Sequence, residues 1–283
     1  MPPVYARVRA AWVRIMTMHA LEKLEFDRVR ERLAGLCDTP AGRQAALEIE
    51  PEHGDEQVWW EIGRTKEAQA LLDDASVALV GIGDLGEAVR RAQKMSAMDG
   101  ATLWRVGDSM RVMRAARKVL EARRSACPTL WLLGQRLPEL EKIESRILAS
   151  LDGDGTVRDE ASVDLRAARQ RSASLAQRAT EKVQSYASGK WREYLSDAIV
   201  TQRGGRYVVP LRAEHRGKIK GIVHDTSASG QTVYIEPEEV VQIGNDLRES
   251  EAKVRAEEER VLSELSEEVG GVAEDVLDGL EAA

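Results

Sequence analysis

Apolar residues recur at helical spacing along the first half of this chain, and prolines and turn residues separate one apolar stripe from the next. The clearest stripe consists of Leu103, Val106, Met110 and Met113. Positions three or four apart lie on one face of a helix, so this stripe predicts a helix with one buried face. Several such segments joined by short turns indicate a bundle. We therefore predict that residues 19–151 form a helical core domain.

Two later segments have the composition of much longer helices. Residues 159–191 contain no proline and no glycine before Gly189, and residues 238–269 form a segment of similar length. At 1.5 Å per residue, each would span about 48 Å. The first segment carries an excess of Lys and Arg and the second an excess of acids, so antiparallel helices would attract along their flanks. We predict that they pair as a two-helix lever arm within residues 152–283.

Between these two helices the sequence changes to the pattern of strands. Three runs are rich in β-branched and aromatic residues, namely Tyr207–Val209, Gly221–Val223 and Thr232–Ile235. Turn residues divide the runs, which is typical of short paired strands. We predict a small β-rich element over residues 199–237, called the clamp below, at the tip of the arm. The predicted fold class is mainly α: an N-terminal helical bundle and a long antiparallel two-helix arm that carries this clamp.

Positive charge is concentrated in the clamp, although the whole chain has a formal net charge of −7. Glu214 is the one acid between residues 203 and 220, and the bases there are Arg203, Arg206, Arg212, Arg216, Lys218 and Lys220. A dense local set of bases attracts a polyanion such as nucleic acid. Ser227 and Ser229, in the polar turn that follows, are further candidates for phosphate contacts. The alternative is that bases on a strand edge only discourage pairing between sheets.

The clamp and the helix after it also carry a family resemblance. The run Gly205–Glu259, which begins GRYVVPLRAEHRGKIKGIVHDTSASGQTVYIEP, resembles the bacterial MutS-like family that has a C-terminal Smr domain. Two weaker matches are HALEKLEFDRVRERLA with DTPAGR, within His19–Arg43, and ILASLDGDGTVRDEASVDLRAAR, Ile147–Arg169. The three matches occur in the family's order and together span most of the chain.

The resemblance implies that this chain is the gripping part of a larger machine. Members of the family suppress homologous recombination or rescue collided ribosomes, so the implied targets are branched DNA or ribosomal RNA. The family has an ATPase after the arm and an Smr endonuclease domain beyond it, and the full-length protein is expected to be a homodimer. ATP and Mg²⁺ are implied only for that ATPase. Because this chain stops at Ala283, where the ATPase would begin, we expect a non-catalytic lever and clamp without a cofactor.

The sequence itself shows no phosphate-cradling loop of an ATPase. Gly189-Lys190 and Gly217-Lys218 lack both the following Ser or Thr and the earlier glycine that such a loop requires. We therefore expect neither ATP hydrolysis nor magnesium-dependent nucleotide binding by this chain.

One glycine-rich loop indicates a different class of function. Gly81–Gly86 matches G-x-G-x-x-G, and Asp99 lies near the offset of a ribose-binding acid, as in a dinucleotide-dependent enzyme. However, no second strand is visible before Asp99. A loop that ends in a helix cap at Asp84 explains the same residues.

A third interpretation is a coiled-coil scaffold that dimerises. Leu247, Val254 and Val261 repeat every seven residues, which is the seam of a thin coiled coil. Polar residues at several seam positions favour an exposed arm over a helix inside an ordinary bundle.

Three further patterns have simpler explanations than catalysis or metal binding. Asp152–Gly155 looks like a calcium loop, but Val157 and Val163 occupy the positions where an EF-hand needs Gly and Glu. The polar residues of the run His224–Ser229 could suggest nucleophilic catalysis, yet neighbours on one hairpin rarely converge as a triad. The four histidines share no zinc-ligand spacing with the cysteines.

The N-terminus, the cysteines and the hydropathy bear on location. Residues 1–18 hold three Arg and no acid, as a transit peptide does, although a start at Met18 is the simpler interpretation. Cys37 and Cys127 are too few for a disulfide framework, which favours the reduced cytoplasm. No apolar run approaches about 18 residues, so no membrane span is expected.

Overall fold

The computed structural model spans the 283-residue chain, and the structure described below comprises residues 20–52, 55–74, 77–197 and 199–283. These residues are mainly helical and contain a four-stranded antiparallel sheet, so the prediction of a mainly α fold with a small β-rich element is confirmed. The leader predicted at residues 1–18 lies outside the described residues. No described helix is both long and apolar enough to cross a bilayer.

Helices and strands are labelled in chain order over the described residues. The helices are α1 Phe26–Ala34, α2 Pro40–Glu48, α3 Asp55–Asp74, α4 Gly86–Gln93, α5 Gly100–Ala122, α6 Pro128–Gly134, α7 Glu141–Ser150, α8 Val163–Ser188, α9 Glu238–Gly271 and α10 Ala273–Ala282. The strands are β1 Thr201–Arg203, β2 Arg206–Arg212, β3 Gly221–Thr226 and β4 Thr232–Pro237. Short 3-10 turns cover Asp159–Ala161, Arg192–Tyr194 and Ala213–His215.

The chain divides into two compact units. Unit 1 comprises the residues up to Thr156 together with Leu262–Ala283, and unit 2 comprises Val157–Val261. The sequence pattern groups residues 262–283 with the long helices, whereas the structure packs them into unit 1. Leu265 and Val269 are fully buried there. Gly270 lies so close to α4 that a Cβ at this position would meet the Ala92 carbonyl oxygen at 2.5 Å.

Helix α5 provides the centre of unit 1. Leu103, Val106 and Met113 are completely buried and Met110 is 1% exposed, as the apolar stripe predicts. Asp99 caps the helix: its Oδ1 accepts a hydrogen bond from Thr102 N at 2.8 Å, and its Oδ2 accepts one from Thr102 Oγ1 at 2.8 Å. These bonds stabilise the ionised carboxylate, so they hold the pKa of Asp99 below its ordinary value.

The turn at Asp152–Gly155 packs against the start of α5. Gly155 has φ of 88°, a left-handed conformation that favours glycine, and its N–H donates to Asp152 O at 2.8 Å. A side chain at Gly100 would collide with the Gly155 carbonyl. This close approach of two backbones explains the glycine-rich turn as packing, and no calcium ion is needed to account for it.

A buried ion pair joins α5 to α7 in unit 1. Arg114 donates from Nε to Glu144 Oε2 at 2.6 Å and from Nη2 to Glu144 Oε1 at 2.7 Å. The Glu144 side chain is only 4% exposed, and the pair raises the pKa of Arg114 above its ordinary value. Two-point pairing of this kind fixes both the spacing and the rotation of the two helices.

In unit 2, α8 and α9 run antiparallel. Ser250 Oγ on α9 donates to Ala168 O on α8 at 3.0 Å, and Lys182, further along α8, pairs with Glu239 near the start of α9. Helix α8 begins at Val163, later than the predicted residue 159, because Ser162 caps it by accepting a hydrogen bond from Leu165 N at 3.3 Å.

The strands of unit 2 form one sheet in the order β1-β2-β4-β3, with every neighbouring pair antiparallel. One face of the sheet packs on the end of α8. It contributes Val209, Leu211, Val233 and Ile235 to a buried cluster with Val183, Tyr186 and Ala187 of α8 and with Val240 of α9. We call this the core face and the opposite one the outer face.

We predict that removing the buried acid of the Arg114–Glu144 pair strongly destabilises unit 1. Glu144→Ala should lower the free energy of unfolding by about 3–5 kcal/mol, because the Arg114 guanidinium loses its buried two-point partner and keeps only the more distant, exposed Glu141. Urea denaturation measures the loss. Glu141→Ala is the matched control: Glu141 is 70% exposed and 3.7 Å from the same arginine, and such exposed pairs contribute about 0–1 kcal/mol. Similar losses in the two variants would contradict the assignment.

The Asp99 cap should show a specific pH dependence. Asp99→Ala should cost about 1 kcal/mol near neutral pH, because the first turn of α5 loses an acceptor. The folded-state pKa of Asp99 is lowered, so its contribution is full above the ordinary pKa and fades as pH falls through the lowered one. The difference in the free energy of unfolding between Asp99→Ala and the parent protein should therefore become smaller at acidic pH. Asp99→Asn, which caps without titrating, should stay close to the parent near neutral pH.

Candidate nucleic-acid interface

A buried carboxylate organises the outer face of the sheet. Glu236, on β4, is 1% exposed and accepts a hydrogen bond from Arg206 Nη1 at 3.3 Å. Its other oxygen lies 2.7 Å from His224 Nε2 on β3. Arg206 Nη2 also donates to Asn245 Oδ1 at 2.8 Å, which brings α9 onto this face. A Cβ at Gly244 would lie 2.7 Å from Glu236 Oε1 and 2.8 Å from Arg206 Nη1, so a larger residue here would displace the charged ends of this pair.

Strand β3 forms an open edge of the sheet. All six of its residues are exposed, and the register shifts between Val223 and Asp225. Alternation from Val223, which pairs with Ile235 of the core face, places His224 on the outer face beside Glu236, and the bulge brings Asp225 onto that face as well, opposite Tyr234. Within the polar run His224–Ser229, His224 therefore has a structural role, because it contacts the buried carboxylate of Glu236.

Arg203 lies at the end of β1, also on the outer face. Its guanidinium carbon is 4.2 Å from the centre of the Tyr234 ring, and its Nε is 3.3 Å from Asp225 Oδ2. The side chain is 39% exposed. The Arg203 side chain therefore contacts Tyr234 and Asp225 within the sheet and remains partly exposed to solvent.

Arg212 and the two serines lie at one end of the sheet. Arg212 is exposed at the end of β2 and pairs in register with Thr232. Ser227 Oγ accepts a hydrogen bond from Thr232 N at 3.0 Å and lies 3.3 Å from Ser229 Oγ. Gly230, with φ of 72°, completes this tight turn. The Ser227 hydroxyl thus has a structural contact, and Ser229 is exposed at the tip.

Three of the bases lie on a segment that crosses the core face between β2 and β3. The crossover, residues 213–220, leaves the Arg212 end of the sheet and reaches the opposite end, where Lys220 O accepts a hydrogen bond from Glu238 N at 3.0 Å. Ile219 anchors it in the buried cluster at 4% exposure. Arg216, Lys218 and Lys220 are exposed, and within the described residues no hydrogen bond or ion pair engages their charged ends.

The structure therefore distributes the predicted bases over both faces of the sheet. Arg203 and Arg206 belong to the outer face, and Arg206, whose side chain is 13% exposed, is committed to Glu236 and Asn245. Arg216 and Lys218 lie on the crossover over the core face. The bases with the freest charged ends are Arg212, Arg216, Lys218 and Lys220.

Sequence reasoning missed an aromatic group beside the crossover. Trp191 and Tyr194 follow α8, and both are half-buried against the core cluster. Lys218 Nζ lies 5.9 Å from the Tyr194 ring, so the crossover and the end of α8 meet here. The signal was present in the sequence as aromatics interleaved with bases in Lys190–Tyr194.

The other chemical interpretations find less support in the structure. All strands of the described residues lie between 201 and 237, so the Gly81–Gly86 loop is not preceded by the strand that a dinucleotide-binding unit requires. Leu247 and Val261 of the heptad seam are already buried within this chain. In the part of the chain that the structure describes, no three His, Cys, Asp or Glu side chains converge as a metal site.

Comparison with known proteins identifies the family of this chain. No family model matches it. An "Endonuclease MutS2" of Symbiobacterium thermophilum is 36% identical over 268 residues, which is 94% of this chain and 34% of that protein. Proteins of the same name from Exiguobacterium sibiricum and Clostridioides difficile are 37% and 33% identical over 92% and 94% of this chain. The chain belongs to the MutS-like family.

The similarity to MutS2 proteins is continuous along nearly the whole chain, so it covers both units. The chain spans about a third of the length of the relatives it matches, 34% in each of these three cases. The resemblance found in Gly205–Glu259 is thereby confirmed at the level of the family.

We predict that Arg206 stabilises the fold of unit 2, unlike its neighbours on the crossover. Arg206→Ala leaves the Glu236 carboxylate buried with His224 alone, and the expected loss is about 3–5 kcal/mol in the free energy of unfolding. Arg216→Ala, the matched control, removes an exposed guanidinium and should change stability by less than about 0.5 kcal/mol. Chemical denaturation followed by circular dichroism measures both. An Arg206→Ala variant as stable as the control would show that the pair is dispensable.

Proposed function

We propose that this chain is a nucleic-acid-binding part of a MutS-like protein and that it grips the phosphate backbone. The observation that carries the proposal is the set of exposed bases on and beside the crossover whose charged ends make no hydrogen bond or ion pair within the described residues: Arg212, Arg216, Lys218 and Lys220. Arg203 is a supplementary contact, since it is partly open to solvent. Ser227 and Ser229 offer hydroxyl groups at the Arg212 end, whereas the Ser227 N–H already donates to Thr232 O at 2.8 Å. Arg206 is assigned to holding Glu236 instead.

The charge distribution supports local rather than general attraction to a polyanion. The chain carries a net charge of −7, so its net charge opposes the binding of a phosphate backbone and attraction must come from local groups of bases. Exposed Lys and Arg side chains release the counterions condensed on nucleic acid when they approach phosphates, and this release drives binding. Such contacts carry no base sequence information, so the proposed binding is independent of sequence.

Within the family, we infer that α8 and α9 act as a lever and that residues 199–237 act as a clamp. In a longer relative, this lever would transmit ATP-driven motion to branched DNA or ribosomal RNA during suppression of recombination or rescue of collided ribosomes. The proposal assigns no catalytic step, cofactor or metal to this chain. We assign homodimerisation to the longer protein and not to this chain alone. It also places the chain in the cytoplasm, where the free thiols of Cys37 and Cys127 stay reduced.

The proposal predicts how binding depends on salt. Arg216, Lys218 and Lys220 should together be replaced by Ala, and affinity for branched DNA and for structured RNA measured by fluorescence anisotropy across a salt series. Each phosphate contact on duplex DNA adds about 0.9 to the slope of log affinity against log salt. The triple variant should therefore flatten the slope by about two to three, with folding unchanged.

A matched variant separates a local contact from a general effect of charge. Lys66, Lys94 and Lys118 are exposed bases of unit 1, and their joint replacement by Ala removes the same charge. This control should keep the slope of the parent. Equal slopes for the parent and the crossover variant would show that the crossover bases are only solvated, and equal flattening in both variants would show attraction by net charge alone.

A further inference from the structure

Four aromatic rings form a connected group where α8 ends and the crossover passes. Trp191 stacks on Tyr186 with 6.2 Å between ring centroids and 18° between planes. Tyr194 lies 6.2 Å from Trp191, and His215 of the crossover meets Tyr194 edge-on at 5.0 Å. Tyr186 is buried, whereas Trp191, Tyr194 and His215 are half-buried. The inner rings complete the core, and the outer ones keep part of their surface open to solvent.

Positive charges lie beside the two outer aromatic rings. Lys190 Nζ lies 4.8 Å from the centre of the Trp191 ring, and Lys218 Nζ lies 5.9 Å from that of Tyr194. Arg192, between the two aromatics, is exposed. A lysine over a half-buried ring at the surface is weakly held, so it can turn to another partner without disturbing the core.

We propose that Trp191 and Tyr194 form a stacking site for an unpaired base, with Lys190 and Lys218 holding the phosphates on either side. The site rests on the proposed function and adds the chemical class of the ligand: single-stranded or unstacked nucleotides. In a duplex the faces of a base are covered by its neighbours, whereas an unpaired base presents a free face to an aromatic ring. Aromatic platforms beside a basic groove are the usual means of binding single strands without reading their sequence.

The chemistry of Tyr194 is consistent with this use. The neighbouring Glu193 carboxylate raises the pKa of the Tyr194 phenol above its ordinary value. The ring is therefore neutral at physiological pH, and no phenolate charge opposes an approaching phosphate. Lys218 belongs both to this group and to the predicted phosphate contacts, so the two sites are continuous on the crossover.

The test compares strands that differ only in their bases. A labelled twelve-nucleotide oligothymidylate and an abasic strand of equal length carry the same phosphates. The full chain should bind the thymidylate about tenfold more tightly in fluorescence anisotropy, as expected for stacking of one or two bases. Trp191→Leu keeps an apolar contact with the core but removes the ring, and it should reduce this preference to near unity. Trp131→Leu is the matched control, since Trp131 also lies under a cation, Arg117, but in unit 1.

Photo-cross-linking supplies an independent measurement on the unaltered chain. A strand containing 5-bromodeoxyuridine should cross-link to Trp191 or Tyr194, and mass spectrometry of the digest locates the bond. This readout stands even where Trp191→Leu does not fold. Cross-links confined to other segments, or equal affinity of the chain for thymidylate and abasic strands, overturn the stacking site.

The same data distinguish failure of the stacking site from failure of the proposed function. Equal affinity for the two strands, together with a salt slope that the crossover variant flattens, removes the stacking site and retains phosphate binding. Absence of salt-dependent binding to either strand removes both. A base preference that Trp191→Leu leaves intact also overturns the assignment, because the preference then arises elsewhere.

Discussion

The burial of one carboxylate, Glu236, is the constraint on which the arrangement of unit 2 depends. An ionised group removed from water must be paired, and Glu236 obtains its partners from β2 and from the bulge of β3. Gly244, which has no side chain, lets helix α9 lie over them without displacing the charged ends of Glu236 and Arg206. Three strands and the first turns of α9 are thereby held in one register. The crossover connects β2 to β3, and the turn that contains Ser227 and Ser229 connects β3 to β4, so both segments are attached to strands in fixed positions.

Local patterns in the sequence were sufficient for the elements that carry their own signal. The apolar stripe of α5 and the β-branched runs of β2 and β4 were predicted because each shows its period within a few residues. Strand β1 was not predicted, since Thr201–Arg203 is polar and becomes a strand only by pairing with β2. The inclusion of residues 262–283 in unit 1 depends on contacts such as Gly270 with Ala92, which no local pattern reveals.

The candidate site was predictable in composition but not in arrangement. The density of positive charge in the sequence identifies the bases. It does not distinguish Arg206, which pairs with a buried acid, from Arg216, which is exposed to solvent. That difference arises because Arg206 on β2 lies beside an acid thirty residues away on β4, whereas Arg216 lies on the crossover, outside the strands. The aromatic group beside the crossover was missed because Trp191 and Tyr194 resemble core residues when read alone. Their proximity to Lys218 arises only when the crossover folds over the sheet.

The open edge of β3 has a consequence for solubility. Ile222 and Val223 are 49% and 40% exposed, and they lie on an edge strand whose outer side is not paired with another strand of the sheet. An apolar edge strand of this kind favours self-association into fibrils. The edge is nevertheless a poor template for a second strand. Charged residues flank the two apolar ones, Lys220 before and Asp225 after, and the bulge between Val223 and Asp225 interrupts the regular strand. A phosphate that neutralises Lys220 would weaken this protection. If the proposed phosphate contact at Lys220 forms, several copies bound to one nucleic acid would be more prone to pair through β3 than copies free in solution.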